Sequence, residues 1–512
     1  MKKMILYFLL ISLGNFWVSS FSEKCYAQLS TYAEPTNKFI QRRDKYLKEY
    51  QDKLNALAQK CNSQGLKREA EITQKWLSSR SADKIFVAVL PTEYNPSLTG
   101  KNPTPEQLKW EEEFTDLRKD ASNFFYKQAQ LAVDAKHPSL GFDLLMDALR
   151  ENPDHASARK IVGFQKYQNE WRTAYEVRQL KKRRVKHPKF GWIPKNHVEK
   201  YEQGQRFYNK KWISKEEDAA AHQDINNGWI IETAHYSICT NHSLEEGVKL
   251  ADELESLYRV WKQLFLRYFA SEKEVTQLFA GKGALKSTSR KHKVVFFRSR
   301  NDYISTLASR NPNVQMSSGI YIISAKPQEP GVAYFYYEPG SDRRTMFHEA
   351  THQLFAEVPQ EIAKSVGRNH NFWIVEGIAT YMETLAHEPG YHVLGGFNDQ
   401  RMMAARLRYC KTKFYIPLTK LCSMSAAEFQ GHPKVAQLYS QCAGLTHFMI
   451  YYKNGEYRDG LVEYLRTVYR QEDTPQTLSN ILSKSYSELD KEYGQFISQQ
   501  KTVLNELDFR KR

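Results

Sequence analysis

Two histidines four positions apart in an otherwise apolar setting constrain this chain more than any other feature. In Thr345-Met346-Phe347-His348-Glu349-Ala350-Thr351-His352-Gln353-Leu354 the one acidic residue is Glu349, directly after the first histidine. On a helix, positions i and i+4 share a face one turn apart, so His348 and His352 can offer two imidazoles to one metal ion. Glu349 then lies beside that ion, where it can take a proton from water. The competing reading is a surface helix with two chance histidines. The uncharged flanks and the small Ala350 favour a buried active-site helix instead.

A zinc hydrolase usually takes three protein ligands and leaves the fourth position open. The stretch Trp373-Ile374-Val375-Glu376-Gly377-Ile378-Ala379-Thr380-Tyr381-Met382-Glu383 offers the third. Glu376 follows His352 by 24 residues, enough for a turn and a second helix running back against the first. A lone Glu in an apolar helix is costly to bury, and metal ligation would supply its missing partner. Gly377 and Ala379 are expected to remove bulk so that the two helices close around one ion.

These two segments together resemble the gluzincin metallopeptidases, in particular the peptidase-MA-like domains of uncharacterised secreted bacterial proteins. The resemblance extends from about Thr233 to Gln499, and Asp134 to Trp212 is similar to a region that accompanies such domains. It implies zinc-dependent hydrolysis of peptide bonds and names no substrate. Gluzincins also set a Tyr or His against the developing oxyanion. Aminopeptidase-like members carry that Tyr roughly sixty residues past the glutamate ligand, and Tyr439 follows Glu376 by 63. Coincidence among 31 tyrosines is the rival reading. His387, His392 and His447 are further candidates.

Two departures stand out. The Gly-x-Met-Glu-Asn segment that holds a substrate amine in aminopeptidases is absent, although Glu329 and Glu338 lie upstream, so exopeptidase action is not supported. Positions 379 and 380, where some gluzincins carry an acid that orients a histidine, are Ala and Thr. Glu383 or Thr380, on the same face as Glu376, are the expected substitutes.

With 512 residues the chain exceeds one ordinary core, which predicts roughly two or three domains. Met1-Lys2-Lys3, an apolar stretch from Met4 to Val18 and the polar residues up to Ala27 have the pattern of a secretory signal, residues 1–27, with an uncleaved anchor as the alternative. Export to the periplasm, envelope or medium follows, with no transmembrane segment once the signal is removed. A helical accessory region is expected over 28–225 and the zinc hydrolase domain over 226–512.

Within the first, helical spacing covers about Pro35 to Ser79, a Pro- and Gly-rich linker spans 91–105, and helices resume at Glu106. A tetratricopeptide-like helical hairpin is expected near 121–167, with no repeat at fixed period. Strands are predicted in Asn226 to Thr240, Val294 to Phe297, Gly319 to Ile323 and Val332 to Tyr337, and helices from Asp342 onward. Ser243 and Glu246 predict a capping box on an intervening helix. The fold class is α+β: a helix-rich N-terminal region, then a gluzincin-like domain with a small sheet, the HExxH helix and a helical C-terminal body.

The net charge of +16 becomes +14 without the signal, since Lys2, Lys3 and Lys24 leave with Glu23. Such a field suits an anionic envelope polymer, or serves solubility alone. Its densest run, Lys181-Lys182-Arg183-Arg184-Val185-Lys186, carries no nucleic-acid-binding signature, so no nucleic acid is expected and a solvated turn is the default. Cys61, Cys239, Cys410, Cys422 and Cys442 remain in the mature chain, and proximity makes Cys410 and Cys422 the expected disulfide.

The expected function is therefore an exported zinc metallopeptidase with Zn2+ as cofactor and a peptide or protein as substrate. His348, His352 and Glu376 hold the metal, Glu349 is the general base and Tyr439 stabilises the oxyanion. Val332 to Tyr337 is placed to hold an extended peptide by β-addition, its aromatic residues reading equally as core. One rival is a non-catalytic, envelope-associated binding protein with a structural or vestigial zinc site. The other is a zinc amidase acting on a non-peptide amide.

Overall fold

In the computed structural model, residues 36–77, 81–283, 290–312, 314–324, 329–340, 343–358 and 365–499 are described. The expected signal, 1–27, lies outside them. The long helical pattern at the N-terminus divides where Gly65 adopts φ +78°, giving α1 (Thr36–Ser63) and α2 (Lys67–Gln74). Strand β1 (Lys84–Ala88) precedes the linker. Thr104 then starts α3 (Pro105–Asp134) with a full capping box to Gln107 and Pro105 in the first turn.

The next helix, α4 (Pro138–Glu151), folds back on α3, and a Cβ at Gly141 would stand 2.6 Å from the Val133 side chain. The hairpin here is formed by α3 and α4 and spans 105–151, whereas the one expected near 121–167 would have turned at Asn152 to His155. After a short α5 (Ala156–Ile161) the predicted helix gives way to β2 (Phe164–Tyr167), because Gly163, Gln168 and Asn169 all take positive φ.

From there three hairpins follow one another, each trailed by a short helix: β2 with β3 (Glu170–Thr173) and α6 (Ala174–Lys181), β4 (Arg184–His187) with β5 (Gly191–Pro194) and α7 (Val198–Glu202), and β6 (Gln205–Tyr208) with β7 (Lys211–Ser214) and α8 (Lys215–Ala221). Trp171, Trp192 and Trp212 stand one pair in from the turn in all three. The chain thus contains an internal repeat that the sequence reading did not find.

A five-stranded sheet organises the second half. Its strands are β8 (Trp229–Glu232), β9 (Tyr236–Thr240), β10 (His292–Phe297), β11 (Ile320–Ile322) and β12 (Val332–Tyr336), ordered β11-β12-β10-β9-β8. The inner strands β9, β10 and β12 are parallel, and each edge strand is antiparallel to its neighbour. Between them run α9 (Leu244–Leu264), α10 (Leu266–Phe269), α11 (Glu272–Phe279) and α12 (Arg300–Leu307). Ser243 caps α9 through the Glu246 N–H, but the Glu246 carboxylate turns to Arg343, so the expected capping box is only half formed.

The remaining helices are α13 (Arg344–Glu357), α14 (Phe372–Met382), α15 (Gln400–Cys410), α16 (Leu418–Ser423), α17 (Ala426–Gln430), α18 (Val435–Tyr451), α19 (Arg458–Tyr469), α20 (Thr477–Leu482) and α21 (Tyr486–Gln499). The expected mostly helical body is interrupted by the hairpin of β13 (Ala386–Glu388) and β14 (Tyr391–Gly395), with β1 paired to the other edge of β14. The fold is α+β. One continuous core runs through both halves, and a smaller cluster of Phe297, Tyr303, Leu307, Val314, Ile320, Tyr334 and Tyr336 fills the opposite face of the sheet.

Several polar links bridge the halves. Arg458 holds Asp143 at 2.7 Å and the Ser139 N–H reaches Asp459 at 3.1 Å, beside a cavity of about 690 Å³ lined in part by both acids. The five cysteines among the described residues carry free thiols, so the disulfide expected between Cys410 and Cys422 is not formed. Among the described residues no helix is long and apolar enough to cross a membrane.

Candidate metal and catalytic site

The local sequence explains why α13 and α14 meet as they do. Helix α14 begins at Asn371, a buried residue in the left-handed region at φ 58° that Asn tolerates better than most. Its amide donates to Asp473 and to the Thr474 carbonyl, both at 2.8 Å, and its oxygen accepts from the Tyr464 hydroxyl at 2.7 Å. The start of the helix is thereby fixed, and with it the direction of Glu376, one and a half turns on.

The structure brings His348, His352 and Glu376 together as a group that could hold a metal ion. The two imidazole Nε2 atoms lie 3.1 Å apart, and the Glu376 Oε2 lies 3.3 Å from His348 and 3.8 Å from His352. Ligands about 2.0–2.1 Å from a tetrahedral ion would be spaced by roughly 3.3 Å. The buried Glu376 Oε2 has no hydrogen-bond partner, a costly state that an ion between the three atoms would relieve.

Behind His348 stands Glu383, its Oε1 2.7 Å from Nδ1. An ionised carboxylate only accepts, so Nδ1 carries the hydrogen and Nε2 turns its lone pair toward the cluster. Of the two residues expected to give this support, Glu383 does so, while Thr380 spends its hydroxyl on the Glu376 carbonyl at 2.5 Å. Arg401 at 3.4 Å and Arg344 at 3.6 Å flank Glu383 in turn.

The expected packing role of Gly377 needs correcting. A Cβ there would stand 2.5 Å from Thr446 Oγ1 and 3.2 Å from the Cys442 carbonyl, both on α18. The missing side chain therefore admits α18, and the approach of α13 does not depend on it. Gly377→Ala should destabilise the protein by about 1–3 kcal/mol through overpacking, measurable as a lower denaturation midpoint. An unchanged midpoint would mean that α18 shifts without cost.

Electrostatics in the cluster are dominated by burial. Without an ion, burial opposes a charge on His348, yet the neighbouring Glu376 and Glu383 carboxylates lift its pKa to about 10, and a metal at Nε2 would take the place of that second proton. His352 is pushed down to about 4 by burial, with the carboxylates opposing. Burial raises Glu349 to about 7 against the pull of His348. For Glu376, burial is outweighed by His348 and His352, with a smaller contribution from Tyr439, and the group stays below the usual carboxylate range.

Glu349 is buried beside the cluster, its Oε2 accepting the Tyr321 N–H of β11 at 3.0 Å. That strand, and not β12, forms the sheet edge nearest the site. β12 is paired on both sides, to β10 and to β11, and cannot accept an added strand as the sequence had suggested. Its aromatic side chains are core.

Tyr439, on α18, is also brought to the site. Its hydroxyl accepts from Gln430 at 3.1 Å, and burial followed by the Glu376 charge pushes its pKa well up. His387 and His392 instead face each other at 2.8 Å on the β13–β14 hairpin, and His447 bonds the Ala443 carbonyl beside Tyr381. Sequence reasoning missed Tyr469, whose buried hydroxyl has no hydrogen-bond partner and feels the Glu376 charge. It also missed Glu357, which gathers the Tyr321 hydroxyl at 3.0 Å and His292 at 2.6 Å and so pins β11 to α13.

A family model described as "Protein of unknown function (DUF1570)" matches residues 342–473. That span opens just ahead of α13, contains every residue of the cluster together with Tyr439, and closes on Asp473, the partner of Asn371. No curated protein matches the chain.

Proposed function

We propose that this chain is an exported zinc-dependent hydrolase, a metallopeptidase of gluzincin type acting on a peptide or protein. The observation that carries this reading is the spacing of the three donor atoms, 3.1, 3.3 and 3.8 Å, with Glu349 buried alongside and Glu383 behind His348. Zinc, when bound, would polarise a scissile carbonyl and acidify a water. His348, His352 and Glu376 would hold it.

Glu349, positioned by the Tyr321 N–H, takes the proton from the attacking water and returns it to the leaving amine. Strand β11 is the edge strand beside this carboxylate, which already takes the Tyr321 N–H, and an extended chain would lie along that edge. Tyr439 donates a hydrogen bond as the carbonyl oxygen gains charge. The binding-protein reading is less favoured because a structural zinc site closes its fourth position with protein, and no fourth donor joins the group among the described residues.

The test is to profile new N-termini in a proteome exposed to the full chain. A set of cleavages should disappear with a chelator and return with zinc. Stoichiometric zinc without any cleavage would favour the binding protein, and cleavage of non-peptide amides alone would favour the amidase. Tyr439→Phe should lower turnover about ten- to a thousandfold while keeping the metal. A fall in zinc content instead would make Tyr439 a support for Glu376.

A further inference from the structure

We infer that the three-hairpin array from Phe164 to Lys215 is a docking surface for an acidic polysaccharide. This segment holds fifteen Lys and Arg against four Asp and Glu, a net +11 out of the +16 of the whole chain. Thirteen of the fifteen are exposed. Of these, only Lys186 and Lys215 meet a carboxylate among the described residues, Asp252 at 2.8 Å and Glu245 at 3.8 Å. Lys181, Lys182, Arg183, Arg184, Lys189 and Lys195, all on or beside the second hairpin, meet no carboxylate there.

A merely solvated surface intersperses both signs, whereas an unneutralised field of one sign is kept where it draws an opposite charge. The repeat gives that field a regular form. Trp171, Trp192 and Trp212 recur at intervals of 21 and 20 residues, so the basic residues ride on a scaffold with a fixed period.

Flat apolar faces accompany the charge. Trp192 and Trp212 are half-buried, Lys200 lies 4.5 Å above the Trp212 ring, and His197 packs between Trp212 and Phe207 at 4.8 and 4.9 Å. The Trp212 ring is already covered by Lys200, and the half-buried Trp192 is the ring that meets the apolar face of a sugar while neighbouring ammonium groups meet its carboxylates. A bilayer is disfavoured because Phe207 is the one large apolar side chain of the array that is exposed. The choice of a glycan over a nucleic acid rests on the export reading.

The array is held firmly to the catalytic half. Arg206 reaches Glu245 of α9 at 2.8 Å, Tyr175 donates to the Glu232 carbonyl at 2.9 Å, and Gly191 lies against Val248. From the same α9, Glu253 and Glu246 grip Arg343 at 2.6 and 3.3 Å, directly ahead of α13. A polymer on the hairpins is thus kept at a fixed offset from the metal cluster.

The test is binding of the full chain to immobilised polygalacturonate, beside dextran, single-stranded DNA and phosphatidylglycerol vesicles. Binding to polygalacturonate should weaken steeply between about 50 and 200 mM salt, with none to dextran. The charge reversal Lys182→Glu, Arg183→Glu, Arg184→Glu should weaken it about tenfold or more, and Trp192→Ala should weaken it further. An unchanged affinity in the triple variant, no binding at low salt, or tighter binding of DNA or vesicles would each overturn the assignment. The assay needs neither zinc nor turnover, so it stands apart from failure of the hydrolase reading.

Discussion

Glu349→Gln is expected to lower turnover by about two to four orders of magnitude, the usual worth of a general base, while zinc content and melting temperature stay close to wild type. The carboxylate is not among the three clustered donor atoms. Its protein partner is the Tyr321 N–H at 3.0 Å, which an amide oxygen accepts equally well. The substitution therefore keeps volume, helix and strand contact and removes only basicity. Zinc analysis, a thermal melt and initial rates on any cleaved substrate decide the matter together. Wild-type rates in the variant would remove Glu349 from the chemistry even if the metal were present.

The second large effect is on the metal. His352→Ala should take a protein that binds about one zinc per chain to one that retains little after dialysis. Glu383→Gln should weaken zinc about 10- to 100-fold without removing a ligand, the typical cost of losing the partner of a metal-bound histidine. The graded pair matters because His352 offers a donor atom directly, whereas Glu383 acts only through the 2.7 Å bond to His348 Nδ1. Competition with a chromophoric chelator reads both. Equal affinity in wild type and Glu383→Gln would mean that the orientation of His348 is set by packing alone.

The cluster was legible because its chemistry is local. A four-residue spacing on one helix and a single Glu in an apolar one are written in consecutive residues, and both helices formed where the pattern placed them. Glu383 was legible for the same reason, lying two turns beyond Glu376. Tyr469 was not, since it comes to the site from α19 and carries no spacing signal of its own, and Glu357, although on α13, meets partners on β10 and β11 that nothing local announces.

The sheet was read strand by strand, but its order was not, which is why β12 was offered as a possible edge. Edge or centre is decided by which strands pair, and alternation along one segment does not report that. The hairpin array was missed for another reason. Its strands are four residues long and polar, so the repeat shows only in Trp171, Trp192 and Trp212 and in the positive-φ turns, not in a hydrophobic period.

The pairing of β1 with β14 joins Lys84–Ala88 to Tyr391–Gly395, across most of the chain's length. Contacts so far apart in sequence slow folding, because loop closure must precede any return from the contact. A chain emerging N-terminus first holds β1 as an open edge until residue 395 has appeared. The same topology bears on dissection. Residues 226–512 expressed alone would bare one side of β14 and strip Arg458 and Asp459 of Asp143 and Ser139. The half that carries His348, His352 and Glu376 thus depends on its N-terminal neighbour for assembly, and any test of metal binding or turnover should use the full chain.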